Sequence, residues 1–130
     1  MSLNNLGPGS SMDQAVTANA IRYAVDNGAD VINLSLGGNT GQITAYRDAL
    51  RYAVSKGVVV LAAAGNESMQ IDSMYSAAGL ASSLKGLISV GNFQALNYNK
   101  DTTSNYSTAY VELGAPGSSR VAVKQTGVNH

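Results

Sequence analysis

The chain lacks cysteine and tryptophan altogether, and its single histidine, His130, is the last of its 130 residues. Without cysteine, disulfide-stabilised scaffolds and thiolate metal sites are excluded, and cysteine usage gives no information on the redox compartment. With one terminal histidine, neither a self-contained Ser-His-Asp catalytic site nor a histidine metal site is expected. We interpret His130 as a terminal residue without a catalytic role.

Charge is also scarce in this chain. Charged residues make up 12% of it, and eight Lys and Arg balance eight Asp and Glu. Nucleic-acid-binding domains normally carry a basic surplus, so no nucleic-acid partner is expected. No apolar run approaches the roughly 18 residues of a membrane-spanning helix, so no membrane partner is expected either. The hydrophobic share of 45% excludes a disordered polar tail and fits a single domain over residues 1–130.

What is present is an alternation of helical and strand patterns, which predicts an α/β fold. One helix is predicted over residues 12–27, with Ser11 and Gln14 at capping-box spacing, and a second carries an apolar face from Ile43 to Val54. Short apolar runs predict strands at 31–36, 58–64, 87–90 and 110–113, and a short helix is predicted near 77–84. Residues 1–3 resemble an expression leader, and residues 118–130 form a weakly patterned tail.

The strands are expected to form a parallel sheet. Residues 21–28 (IRYAVDNG) resemble residues 50–57 (LRYAVSKG), and each segment precedes a predicted strand. Successive helix–strand units of this kind pair their strands in parallel through right-handed crossovers. We therefore predict four mainly parallel strands in sequential order. Because residues 58–64 are apolar throughout, both faces of that strand are expected to be buried.

Ligands of open parallel sheets bind beyond the carboxyl ends of the strands, where this chain has glycine-rich segments. The loop Gly37–Gly41 lies between a strand and a helix, as a phosphate-binding loop does, but it matches neither dinucleotide nor P-loop spacing. A small doubly wound nucleotide- or flavin-binding domain therefore stays an alternative. Asn66 follows a strand and a glycine. It is either a turn residue that tolerates left-handed backbone or a side-chain amide donor, as in an oxyanion hole.

Four segments together resemble the subtilisin-like serine proteases, or subtilases, and occur in the family's order. They are residues 29–38 (ADVINLSLGG), 58–67 (VVVLAAAGNE), 87–91 (LISVG) and 105–117, where Asn105-Tyr106-Ser107 precedes VELGAPG. The resemblance implies a partial subtilisin-like three-layer α/β/α sandwich and a serine endopeptidase that acts on peptide or protein substrates without a cofactor. It also implies a secreted or extracytoplasmic location.

The resemblance assigns roles position by position. In this resemblance, the segment that pairs with the substrate backbone and forms one wall of the S1 pocket corresponds to Ser35, Leu36 and Gly37. The opposite wall looks like Ala63, Ala64 and Gly65. Asn66 looks like the oxyanion-hole asparagine, whose amide stabilises the tetrahedral intermediate.

The family's catalytic Asp, His and Ser segments have no counterpart in this sequence. We therefore expect an internal fragment, between the catalytic His and the catalytic Ser, that is inactive alone; the alternative is a noncatalytic peptide-binding module. Ser107 and Ser118 lack a base that would make either a nucleophile. Glu67 and Asp72 are interpreted as solvated carboxylates, and no metal site is expected.

The arrangement of helices leads to one further expectation. Right-handed crossovers place both predicted helices on the same side of the sheet, so the other, apolar face lacks cover. Because soluble monomers rarely expose a large apolar patch, the fragment is expected to self-associate, most simply as a dimer.

Overall fold

A computed structural model describes Leu3 and residues 12–39 and 41–117. The elements in chain order are α1 (Gln14–Asp26), β1 (Val31–Leu34), α2 (Thr44–Ser55), β2 (Val59–Ala63), a 3-10 turn (Ala78–Leu80), β3 (Leu87–Phe93) and β4 (Leu113–Pro116). The strands form one parallel sheet in the order β1-β2-β3-β4. The predicted α/β class and the sequential parallel order are confirmed. The predictions for Ser11 and for residues 118–130 lie outside the described residues.

The start of α1 differs from the predicted capping box. Asp13 is the N-cap, and its carboxylate accepts hydrogen bonds from two backbone N–H groups of the first turn, at 2.8 and 3.2 Å. Gln14 is therefore the first residue of α1, which begins two residues later than predicted, while Ser11 lies outside the described residues. Gln14 instead fastens the start of α1 to the start of α2: its side chain donates to the Gly41 carbonyl and accepts from the Ile43 N–H, both at 2.8 Å.

The two helices pack on each other and on one face of the sheet. Tyr46, Leu50 and Ala53 of α2 are fully buried and share one core cluster with Val60 and Ala62 of β2. Right-handed crossovers explain why both helices lie on the same side. Both helices end as predicted, just before glycines whose φ angles are +83° and +80°.

On the opposite face of the sheet, the described strand side chains are exposed or only half-buried. Along β2 the burial alternates, because Val60 and Ala62 face the helices while Val59, Leu61 and Ala63 point to the other side. The prediction that both faces of this strand are buried is therefore wrong for the part of the chain described. We use "open face" for the apolar side chains that register places on this side, namely Val31, Val59, Leu61, Ala63, Ile88, Val90, Leu113 and Ala115.

Two elements lie elsewhere than the sequence pattern predicts. The helix predicted near 77–84 is reduced to the short 3-10 turn. The fourth strand occupies Leu113–Pro116 rather than 110–113. The cause lies in Ser107, whose hydroxyl accepts hydrogen bonds from the N–H groups of Ala109 and Tyr110 at 3.2 and 3.3 Å and so closes a turn over residues 108–110.

Candidate functional site

The two segments predicted as S1 walls lie at the same edge of the sheet. β1 and β2 are parallel, with Leu34 beside Ala62, so residues 35–37 and 63–65 share the carboxyl edge. Within the described residues, the backbone N–H and C=O groups of residues 35–37 make no hydrogen bond. Such unpaired backbone groups are available to an added peptide strand, which binds through main-chain hydrogen bonds.

The surfaces of the two walls are small and uncharged. Ser35 and Gly37 are exposed, Leu36, Ala63 and Gly65 are half-buried, and Ala64 is buried. The Ser35 hydroxyl accepts a hydrogen bond from the Asn33 side-chain amide at 2.8 Å, which fixes its direction at the end of β1. The accessible surface of the two walls therefore consists of backbone, the Ser35 hydroxyl, the Leu36 side chain and the Ala63 methyl group.

Tyr75 joins the two walls from the buried side. Its side chain is 1% exposed, and its ring lies against Gly37, where an added Cβ would be 3.2 Å from Cε1. At Gly65 an added Cβ would overlap the Tyr75 hydroxyl. The second wall therefore needs glycine at position 65, where φ is also +96°, whereas at Gly37 a Cβ would make only a tight contact with the ring.

A polar network surrounds the Tyr75 hydroxyl. This hydroxyl donates to Glu67 Oε2 at 2.9 Å. The same carboxylate oxygen accepts a short hydrogen bond from Asn105 Nδ2, which also donates to the Ala64 carbonyl at 2.8 Å. Burial, followed by the hydrogen bond to Glu67 and the charge of Glu67, raises the pKa of Tyr75 to about 12. Tyr75 is therefore a neutral donor at physiological pH. Glu67 is exposed, as a solvated carboxylate is expected to be, but its Oε2 also accepts hydrogen bonds from Tyr75 and Asn105.

Asn66 lies at the end of the second wall with its side chain exposed. No described residue forms a hydrogen bond with its amide. Its backbone is not left-handed, because the residues other than glycine with positive φ are Ser68, Ser76 and Tyr98. The left-handed turn that the sequence allowed as an alternative is thus absent, and Gly65 takes the positive φ instead. The amide is free to donate to a ligand at the edge of the sheet.

The other candidates do not form a site in the described part of the chain. The loop Gly37–Gly41 does not present its last N–H to solvent, because Gly41 is buried and its N–H donates to the Met74 carbonyl at 3.0 Å. The Ser107 hydroxyl is occupied by the turn described above. Among the described residues, no three acidic or histidine side chains converge on a metal position. Ser118 and His130 lie outside those residues.

Sequence reasoning missed two of the residues that shape this edge. Tyr75 was assigned no role, and Asn105 was noted only as part of the stretch that resembles the family. Their partners are eight and about forty residues away in the chain, so no local pattern links them. The one signal in the sequence is the glycine at position 65, because a glycine often marks a place where another group approaches the backbone closely.

Comparison with known proteins decides the family. The sequence model of the subtilase family matches residues 3–130. This chain belongs to the subtilase family. Thermitase from Thermoactinomyces vulgaris is 39% identical to this subtilase over 116 residues, which are 89% of the chain and 37% of thermitase. Subtilisin E from Bacillus subtilis (strain 168) is 41% identical over 101 residues, which are 76% of the chain and 25% of that protein.

Solved structures agree with the fold. A cold adapted subtilisin-like serine proteinase superposes with a TM-score of 0.71 at 29% identity and covers 86% of this subtilase chain and 38% of its own. A lanthipeptide protease also gives 0.71, at 30% identity, with 88% and 36% covered. The chain thus spans between a quarter and two-fifths of the length of these relatives. Separately, no helix in residues 12–39 and 41–117 is long and apolar enough to cross a membrane.

Proposed function

We propose that this chain is the substrate-binding and oxyanion-stabilising part of a subtilisin-like serine endopeptidase, and that segments outside this sequence supply the catalytic Asp, His and Ser. The observation that carries the proposal is Asn66, whose exposed amide has no partner among the described residues and directly follows the second of two walls at one edge of the sheet. The names of the relatives, which include thermitase, subtilisin E and a lanthipeptide protease, support the reaction class.

Each part of the edge has a task in peptide-bond hydrolysis. The free backbone of residues 35–37 pairs with the substrate main chain, and the side chain before the scissile bond enters between this wall and residues 63–65. When a serine attacks the carbonyl carbon, negative charge develops on the carbonyl oxygen. The Asn66 amide donates a hydrogen bond to that oxygen. Because the amide is neutral and stays protonated at every relevant pH, it adds no competing charge.

The first test concerns the 130-residue chain by itself. We expect it to show no peptidase activity, because neither Ser107 nor Ser118 has a base in this sequence. The measurement is turnover of a chromogenic peptide, compared with a variant that carries both Ser107→Ala and Ser118→Ala. Turnover above that control would contradict the proposed division of the catalytic machinery.

The second test addresses Asn66 in the longer protease. Asn66→Leu should lower kcat by about 10²–10³, the magnitude known for loss of this donor in subtilisin itself, with little change in KM. Asn19→Leu is the matched control, because Asn19 is likewise exposed but belongs to α1 and not to either wall or the Asn66 loop. A raised KM with unchanged kcat would identify Asn66 as a ground-state binding residue and reject the oxyanion role.

The two alternatives are separated by ligand titration. In an NMR titration of the labelled chain, a peptide substrate should shift the amide resonances of residues 35–37 and 63–66. A dinucleotide that shifts residues 37–41 instead would favour a nucleotide-binding domain. If the flanking gene segments lack the catalytic His and Ser, the same groove belongs to a noncatalytic peptide-binding module. The extracytoplasmic location stays a prediction from the family.

A further inference from the structure

Asn105 is a buried residue whose side chain forms several hydrogen bonds with the loop that carries Asn66. It is 1% exposed. Its Oδ1 accepts hydrogen bonds from the backbone N–H groups of Glu67 and Met69, both at 3.0 Å. Its Nδ2 donates to the Ala64 carbonyl at 2.8 Å and to Glu67 Oε2. A side-chain amide has two donor hydrogens and two acceptor lone pairs, so its capacity is fully used here.

These hydrogen bonds involve residues that precede and residues that follow Asn66 in the chain. The bond to Ala64 lies before Asn66, and the bonds to Glu67 and Met69 lie after it. The backbone N–H of Asn105 adds a fifth bond, to the Gly65 carbonyl at 3.0 Å. Asn66 itself contributes none of them, and its side chain stays free for a ligand. Asn105, 39 positions further along the chain than Asn66, thus makes five of the described hydrogen bonds to residues 64–69. Thr102 and Thr103 add one each, both accepted from Ser68.

We propose that Asn105 is a positioning residue for the oxyanion-hole donor: it holds residues 64–69 in the conformation that aims the Asn66 amide at the reacting carbonyl. This inference rests on the role proposed for Asn66. A donor stabilises an oxyanion only when it lies about 2.7–3.1 Å from the position of that oxygen. A displacement of about 1 Å costs on the order of 10²-fold in rate, so the loop must be held firmly.

An amide is the group that this position requires. A carboxylate has the same shape and still accepts from Glu67 and Met69, but it cannot donate to the Ala64 carbonyl. It would also face the Glu67 carboxylate, the charge already present in the network. An aliphatic side chain would leave the two N–H groups and the Ala64 carbonyl without their partner in a buried place. Tyr75 alone would then hold Glu67, through one hydrogen bond.

The first measurement uses the 130-residue chain and needs no activity. Asn105→Asp should speed amide hydrogen exchange at Glu67 and Met69 at least about tenfold, because their acceptor is no longer anchored. Exchange in α1 should stay unchanged. Asn27→Asp is the matched control, since it adds the same charge and removes an amide donor to a backbone carbonyl at 2.8 Å, but on the surface. Unchanged exchange at Glu67 and Met69 would overturn the proposal.

The second measurement uses the longer protease and a double-variant cycle. Asn105→Asp should lower kcat about 10- to 100-fold with KM changed less than about threefold. In the Asn66→Leu background, the same change should cost no further kcat, because Asn105 acts through Asn66. An equal loss in both backgrounds would show a general structural role and reject the inference. If Asn66→Leu alone leaves kcat unchanged, the proposed function fails instead, so the two failures are distinguishable.

A second variant covers the case in which Asn105→Asp does not fold. Asn105→Ser introduces no charge and retains one hydroxyl that can accept or donate. It should give a smaller loss of kcat that is again absent in the Asn66→Leu background. A loss that persists in that background, or no loss at all, would contradict the positioning role.

Discussion

The contact between Gly65 and Tyr75 gives a sharp prediction for folding stability. Gly65→Ala places a Cβ onto the Tyr75 hydroxyl, 2.5 Å from Asn105 Nδ2 and 2.7 Å from Glu67 Oε2. An L-residue in left-handed backbone costs about 1–2 kcal/mol, and Gly65 has a φ of +96°. Overpacking of a filled site costs about 1–3 kcal/mol more. The free energy of unfolding should therefore fall by about 2–5 kcal/mol.

The same substitution at Gly57 separates the steric contribution from the backbone contribution to the lost free energy of unfolding. Gly57 has a similar φ of +80°, but an added Cβ there meets nothing within 4 Å. Gly57→Ala should therefore show only the backbone cost. Urea unfolding of the chain, followed by circular dichroism, measures both variants against the unsubstituted protein. If Gly65→Ala destabilises the chain no more than Gly57→Ala does, Tyr75 is not packed against the second wall and the described network is wrong.

Two further predictions concern Tyr75 and the open face. The pKa of Tyr75 is about 12 in the folded chain, against a usual value of 10, so the unfolded state ionises first and stability should fall from about pH 10 to about pH 12. Urea unfolding of Tyr75→Phe should lack this part of the fall, and an identical pH dependence would refute the buried hydroxyl. The chain should also self-associate through its open face, so light scattering should report about twice the 13.4 kDa chain mass or more. Val59→Lys should give a monomer while Val16→Lys, at a similarly exposed α1 position, should not; a monomeric unsubstituted chain would contradict the self-association.

The fold was predictable because its determinants are local. Helix α2 shows an apolar face at helical spacing, and it ends at Ser55, just before Gly57, as the sequence indicates. The parallel order followed from two helix–strand units with similar sequences, because crossover handedness leaves few other arrangements. The fourth strand differs from the prediction because a local hydrogen-bonded turn competes with it. The Ser107 hydroxyl forms a turn, so Tyr110 is not in a strand although its side chain and its neighbours favour one.

The burial of β2 could not be inferred from its composition. Seven consecutive apolar residues indicate a strand buried on two faces, yet Val59 remains 38% exposed. The apolar pattern indicates that both faces of the strand are suited to contact other apolar side chains. It does not indicate whether the residues that would cover each face belong to the same segment of chain as the strand. That distinction is set by the rest of the structure and is visible only in three dimensions.

In the candidate site, the positions of Asn66 and the two walls are predictable from the sequence, but their exact geometry is not. Asn66 and the two walls follow strands directly, so their position at the carboxyl edge is a consequence of strand order. Their geometry depends on Tyr75 and Asn105, which reach them from loops that the pattern leaves unassigned. Both residues are buried, and Tyr75 belongs to the core cluster on the helix-covered side of the sheet. The side chains of Tyr75 and Asn105 therefore hold the Asn66 loop from the covered side. By strand register, Ala63 is the wall residue that also lies on the open face, so a partner on the open face and a substrate at the carboxyl edge would both contact Ala63.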